Sequence, residues 1–432
     1  MTRHILLPLL LAAIATTASA QWLRVWNGGE STRYAVSDVQ SMDYTAGTLT
    51  IGIDVVSTSE IDSITIVNPV TVTYDGTTAT VDIPESVEGV TAYANGADVY
   101  IVNLNTVTEQ EFILKGTSTQ GSLTYSGSYK VKFHLAGLDL TSTSGAAIDI
   151  QCGKRVDIIV EDGTVNTLAD YASGDQKAAF NCQGHVELSG SGSLTIAGKA
   201  RHALRTNEYL LVKKSFGTLT VSEAASDGIH VGEFFQMNGG TVSIAATGGD
   251  GLQVETDATS SEALNGQLIV GDGTLTVDVA SADTKGIRLD ADDTDATIVP
   301  HLQLLGGTIT VNVAATALGA KAIASDGNFT IGSAETAPVV SVVVAAGVYT
   351  DTATGEENRA TGLKADSTLT IAGGQSTVAA TGAQSRGVRA YALVATGGTL
   401  TVTNTGTKSQ GIKLDQTFVT GQGGIVSGSF RY

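Results

Sequence analysis

The stretch "KGIRLD", residues 285–290, recurs, and its recurrence decides the fold. "TGLKAD" stands at 361–366, "RGVRAY" at 386–391, "QGIKLD" at 410–415 and "LGAKAI" at 318–323. Earlier forms are "DGIHVG" at 227–232 and "DGLQVE" at 250–255. Each reads Gly, apolar, variable, apolar. The opening glycines, Gly228, Gly251, Gly286, Gly319, Gly362, Gly387 and Gly411, are separated by 23, 35, 33, 43, 25 and 24 residues. The short intervals define a unit, and the long ones are the same unit carrying polar insertions such as "TDATSSEALN" (256–265) and "YTDTATGEENRA" (349–360).

A second signature alternates with the first. It includes "FGTLTVSE" (216–223), "NGGTVSIAA" (238–246), "LGGTITVNV" (305–313) and "TGGTLTVTN" (397–404). Each is a glycine turn followed by an alternating strand. One unit therefore holds at least two short strands and two turns, too little to bury its own inner face, so it must stack on its neighbours. The reading is all-β: a parallel β-helix solenoid whose successive strands lie about 4.8 Å apart. Ile287 and Leu289 point inward, while Arg288 and Asp290 point out by the period of two. "AAFNCQG" (178–184) and "HALRTNE" (202–208) carry the pattern upstream, and the solenoid is expected over 69–432. Residues 21–68 contain both tryptophans and form an N-terminal β-rich segment or cap.

Composition agrees. The chain has 432 residues with 51 Gly, 5 Pro and 42% apolar residues, and the apolar alternation persists almost to the end. Residues 1–20 read as an export signal: Arg3 and His4 precede the apolar run Ile5–Ile14, and Ala18-Ser19-Ala20 is a cleavage site. The run is too short for a membrane span, and no later segment qualifies. The expected location is the periplasm, the outer-membrane surface or the exterior. Without Arg3, 23 basic residues face 43 acidic ones, a net charge of −20 that argues against nucleic acid as a partner. Cys152 and Cys182 lie about one unit apart; a disulfide and two free thiols are both left open.

The charges are unevenly placed. Aligning the outward position of each unit gives Asn181, Arg205, His230, Gln253, Arg288, Lys321, Lys364, Arg389 and Lys413. The last five form one basic ladder, and stacked like charges repel. Asp290, Asp366 and Asp415 stand two places further on, so the ladder is either a self-neutralising surface or a stripe for an extended polyanion such as a uronic-acid polysaccharide. Between Lys214 and Lys285 there is no basic Lys or Arg, but there are ten acids. Asp227 and Asp250 hold the same place in consecutive units, which is costly without a counter-charge. Ca²⁺ bound by Asp227 and Asp250, with Glu233 and Glu255 as further ligands, would relieve the conflict; ordinary Asp-Gly turns screened by solvent are the alternative. "LDADDTDA" (289–296) reads as a second cation candidate or a solvated acidic loop. His134, His185, His202, His230 and His301 are scattered without the shared spacing of a zinc site. Tyr391, Phe234 and Phe235 are candidates to stack on sugar, with the phenylalanines also suited to the core.

"SDGIHVGEFFQMNGGTVSI" (226–244), "GDGLQVE" (249–255), "AAFNCQGHVELSGSGSLTIAG" (178–198) and "EDGTVNTLAD" (161–170) resemble the exported bacterial carbohydrate-binding β-helix domains. The resemblance covers about 110–255; beyond it only the unit signature remains. "EIDSITI" (60–66) is similar to an N-terminal element ahead of exported Gram-negative envelope proteins. The resemblance implies a right-handed, pectate-lyase-like β-helix with bound calcium and affinity for polygalacturonate or cellulose, and lytic activity is not its hallmark. Asp227 and Asp250 match its Asp-Gly positions, whereas Lys285 replaces a third Asp. The expected function is non-catalytic, calcium-assisted polysaccharide binding at the cell envelope through Arg205, His230, Arg288, Lys321, Lys364, Arg389 and Lys413. The alternatives are a calcium-dependent polysaccharide lyase, with Arg205 or His230 as base, and a surface adhesin without a glycan ligand. Oligomeric state is not legible.

Overall fold

The computed structural model describes residues 21–431 apart from 28–29, 40, 46, 246, 292–296, 417 and 421–422. The expected export signal at 1–20 and most of the acidic insertion at 289–296 lie outside the described residues.

From Val70 onward, strands stack in parallel on their counterparts one unit away. Leu204 pairs with Ile229, Ile229 with Leu252, Leu252 with Ile287 and Ile287 with Ile323. The inward alternation places Ile229, Leu252, Ile287, Leu289 and Ile323 in one continuous core, all essentially inaccessible to solvent. Burial of these aliphatic rows, at about 1.5–3 kcal/mol per side chain, is the driving force that holds unit on unit.

The expected open right-handed β-helix solenoid is corrected: the hydrogen-bonded network closes on itself as a barrel of largely parallel strands. The reason is physical. Repeat spacing reports which strands stack, but not whether neighbouring ladders are joined. Here long strands turn a corner without breaking. Phe234–Ile244 pairs with Leu210–Val212 through its first half and with Thr218–Ala224 through its second. Arg386–Ala395 likewise pairs with both Gln410–Leu414 and Phe418–Thr420. At the N-terminal end the antiparallel strands Thr78–Asp82 and Val90–Asn95 link Val70–Asp75 to Asp98–Asn103. Their Ala79, Val81, Ala92 and Ala94 pack over the end of the core.

Close stacking requires a small residue before each first core position. In Gly251 a Cβ would lie 2.5 Å from the Gly286 carbonyl oxygen and 2.5 Å from Val277 Cγ1. Ala179, Ala203 and Ala322 stand at the equivalent place in other units and are fully buried, so the constraint is on size. The register also differs from the sequence alignment at one unit. "KAIASD" (321–326) lies on "KGIRLD", with Lys321 on Lys285 and Ala324 on Arg288.

Residues 22–67 form two small antiparallel sheets, Trp22–Asn27 with Glu30–Ala35 and Ser63–Val67, and Met42–Thr45 with Thr48–Ile51 and Asp54–Ser57. Leu23, Val25, Leu49 and Ile51 give them a separate core. This segment grips the flank of the barrel through ions. Arg24 donates to Glu111 at 2.6 Å, Arg33 Nη1 donates to Glu161 at 2.8 Å, and His134 contacts Glu161 at 2.6 Å and Glu111 at 3.0 Å. The Arg33 guanidinium also lies 4.1 Å from the centre of the Trp22 ring. Burial opposes ionisation of Glu161, but Arg33 and His134 outweigh it and hold its pKa at about 2. Cys152 and Cys182 are free buried thiols, with Cys182 paired opposite Ile150. No helix of the described residues is long and apolar enough to cross a membrane.

Two outcomes follow. Gly251→Val overfills the stacked corner and should cost about 1–3 kcal/mol, read as a lower midpoint in denaturant unfolding. Glu161 has a folded pKa below its ordinary value of 4.5, so its contribution is complete above that pH and is lost as pH falls towards 2. Tryptophan emission should therefore report release of residues 22–67 between about pH 4.5 and 2, and Arg33→Ala should move that transition to higher pH.

Candidate functional site

Parallel stacking turns each outward position into a column. One column runs along a single face through Tyr100, Thr124, Asp149, Asn181, Arg205, His230, Gln253 and Arg288. It continues through Ala324, Lys364, Arg389, Lys413 and Arg431. The five-residue basic ladder expected from sequence is thus interrupted. Lys321 belongs to the neighbouring column, on Lys285 and before Thr361 and Arg386, and Ala324 takes its place. Ala322, not Gly319, stands opposite Gly286, and this hid the shift.

Among the described residues, three clefts lie along this face. The first, about 420 Å³, is polar and nearly neutral, lined by Tyr100, Asp149, Lys177, Asn181, Gln183 and Arg205. Arg205 and Asn207 also line the second, of about 400 Å³, with His230, Glu255 and Asp257. The third, about 430 Å³, opens where Ala324 leaves a gap. Lys285, Arg288, Lys321, Arg359, Lys364, Arg386 and Arg389 surround it, against Asp283, Asp326 and Glu357. The hairpin Val348–Thr350 with Glu357–Arg359 brings Arg359 over the gap.

Part of this basic charge is neutralised locally. Arg288 pairs with Asp290 at 2.8 Å and Asp250 at 3.3 Å, Lys364 with Asp366 at 2.8 Å, and Arg389 and Lys413 each with Asp415 at 3.4 Å. The remainder is not. Among the described residues, Lys285, Arg359 and Arg386 have no carboxylate within ion-pair distance; Arg386 donates to the Gln410 side chain at 3.1 Å. Burial, then the charges of Arg389 and Arg359, pull the Arg386 pKa down to about 10. Burial also lowers Lys321, despite Asp283 at 3.5 Å. Crowded cations with too few counter-charges favour an incoming anion. Sequence alignment missed Lys285, Arg359 and Arg386 as site residues. The signal for two of them was present, since Lys285 and Arg386 both stand immediately before the unit glycine.

The acidic end is organised differently from the expectation. Asp227 Oδ1 accepts the Asp250 backbone N–H at 2.8 Å, while Oδ2 lies 3.1 Å from His230 Nδ1 and 3.2 Å from His202 Nδ1. Asp250 accepts the Lys285 backbone N–H at 2.7 Å and the Arg288 guanidinium at 3.3 Å. Burial disfavours the Asp227 carboxylate, yet the two histidines outweigh it and hold its pKa well below the usual range. Burial likewise pulls His230 down, but Asp227 and Glu255 hold it at about 9. Asp250 is pushed up by burial and by the Asp227 charge. Glu255 sits 3.5 Å from His230 Nε2 and accepts from Gln253 at 3.0 Å. Glu233 is buried apart from these, facing Ser260 with Glu208, Glu262 and Asp257, and its Oε2 has no partner among the described residues.

The four expected calcium ligands therefore do not fit a calcium ion as a set. Ca²⁺ needs six to eight oxygens in one shell. Here both Asp250 oxygens and Asp227 Oδ1 already accept protein donors, Asp227 Oδ2 faces two imidazole nitrogens, and Glu233 and Glu255 face different neighbours. Of the aromatic candidates, Tyr391 is 50% exposed beside the basic column, whereas Phe234 and Phe235 are buried. Sequence reading missed the stack His185–Tyr209–Phe234, with centroid separations of 4.2 and 4.4 Å, because its members sit on three different units.

Asp250→Ala strands the Lys285 amide and one Arg288 contact and should cost about 1–3 kcal/mol. Chemical denaturation should give the same loss with and without added calcium, because the lost partners are protein groups.

The model of the carbohydrate-binding domain-containing protein family matches residues 95–411, a span that contains all three clefts. Among solved structures, a polysaccharide lyase-like protein from C. thermocellum, determined as a gadolinium derivative, is similar at 19% identity and a TM-score of 0.50. That likeness covers 63% of this chain and 100% of the other, and it is a likeness of fold. No curated protein matches. On the extent of the family match, the chain belongs to the carbohydrate-binding domain-containing protein family.

Proposed function

We propose that the column face binds one extended polysaccharide, with acidic sugar units seated at the gap beside Ala324. The observation that carries this reading is the cleft lined by seven cations, three of which lack a carboxylate partner among the described residues. Uronate carboxylates supply the missing counter-charge, and the arginines offer paired donors to each one. The first cleft extends the same face with amides, hydroxyls and Tyr100, the donor and ring types that suit neutral sugar units. Tyr391 offers an exposed ring beside Arg389.

The reading is non-catalytic. A lyase needs a free base at the substrate. Both His230 nitrogens face carboxylates, Asp227 at 3.1 Å and Glu255 at 3.5 Å, and Arg205 donates to Asn207. Action at the cell envelope, after export directed by residues 1–20, belongs to the same proposal. An adhesin without a glycan ligand leaves the unpaired cations at Ala324 without a role.

Affinity electrophoresis with polygalacturonate, its methyl ester and cellulose tests the reading. Polygalacturonate should retard the protein more strongly than its ester, and added salt should weaken the retardation. Arg386→Ala should weaken polygalacturonate binding roughly tenfold, about 1.4 kcal/mol. Failure of all three polymers to retard the protein overturns the proposal, and release of ultraviolet-absorbing unsaturated oligouronides overturns its non-catalytic part.

A further inference from the structure

His202, Asp227 and His230 meet at the acidic end of the same face, whereas the glycan reading rests on the cleft at Ala324. His202 and Asp227 are successive members of one column, shown by the neighbouring pairs Leu204 with Ile229 and Arg205 with His230. His230 comes from the adjacent column. The spacing of 28 residues between the histidines, one unit plus three, hides this meeting from a motif search.

We propose that His202 Nδ1, Asp227 Oδ2 and His230 Nδ1 bind one borderline divalent transition-metal ion of the Zn²⁺ type. The three atoms lie within 4.8 Å of one another. Oδ2 is 3.2 Å from the first nitrogen and 3.1 Å from the second. Tetrahedral coordination with bonds of about 2.0–2.1 Å puts ligand atoms roughly 3.3 Å apart, so two edges of the shell are already set. Two imidazoles and one carboxylate select such an ion over calcium, which takes oxygen ligands.

The surroundings hold the ligands in place. Asp227 Oδ1 is anchored by the Asp250 amide at 2.8 Å, which leaves Oδ2 for the ion. His230 Nε2 faces Glu255 at 3.5 Å, the outer carboxylate that orients a metal-bound imidazole. The rings of His202 and His230 stack with centroids 4.5 Å apart. His202 Nδ1 also lies 3.3 Å from the Asp227 backbone N–H, and as that group's acceptor it turns a lone pair towards the nearby carboxylate oxygen. These two lone-pair atoms converge beside His230 Nδ1, where an ion would take the place of the His230 Nδ1 proton. No Lys or Arg occurs from residue 215 to 284, and Arg288 goes to Asp250 rather than Asp227. The fourth position is left for water, or for an oxygen of a ligand in the cleft that His230 lines.

The test uses the full, tag-free chain stripped of metal and titrated with Zn²⁺ and Co²⁺ by calorimetry and visible absorption. One ion per chain should bind, the Co²⁺ form should show the intense visible bands of a low-coordinate N/O site, and Ca²⁺ should not displace either ion. His202→Ala and His230→Ala should each weaken binding by roughly tenfold or more, while His301→Ala leaves it unchanged. Far-ultraviolet circular dichroism of each variant confirms that it is folded before the titration is read. Absence of stoichiometric binding, or equal binding by folded His202→Ala, overturns the proposal. Polysaccharide retardation is measured separately, so failure of one proposal does not imply failure of the other.

Discussion

Parallel register is the constraint on which everything else depends. Each unit lies on the one before it, so every side chain meets its counterpart at about one strand spacing. Inside the barrel this is favourable, because Ile229, Leu252, Ile287 and Ile323 form an unbroken aliphatic row. At the corners it allows only small residues, as the close approach of Gly251 to the Gly286 carbonyl shows. On the outer face it forces charges into columns, where like charges must find partners or attract them from outside.

The face resolves that problem in three ways. Around Asp250 and Arg288 the columns neutralise each other, with an acid one unit back and another two places along the strand. Around Asp227 two imidazoles converge on one carboxylate oxygen. Around Ala324 neither device suffices, because Lys285, Arg359 and Arg386 bring charge without acids to match. The protein is acidic as a whole, yet seven cations line this one cleft on the family's matched span. Local imbalance against the global charge favours an anionic partner at that spot.

Much of the fold was legible because period two and the unit spacing are direct consequences of stacking. Ile287 and Leu289 point inward, and Arg288 and Asp290 outward, as the alternation requires. Closure of the sheet was not legible, since it depends on strands such as Phe234–Ile244 passing through a corner that Gly239 and Gly240 mark as a turn in the sequence. The candidate site was half legible. The basic column emerged from alignment, but Lys321 was placed three residues out of register because Ala322, rather than Gly319, opens its unit. The histidine pair was invisible for a related reason: its two members occupy different columns, and a linear reading compares only like with like. The hydrogen bonds from the backbone amides of Asp250 and Lys285 to Asp227 and Asp250 were not legible either, because sequence does not display them.

The central claim is that one face, running from Tyr100 to Lys413, is the polysaccharide-binding surface. A crystal structure of the full chain with a bound oligogalacturonide tests it most directly. The account predicts sugar lying along that column, with a carboxylate in the gap at Ala324 between Arg386 and Lys364. Sugar bound instead over the strands Thr308–Val313 and Gln375–Ala380, on another face of the barrel, would contradict it.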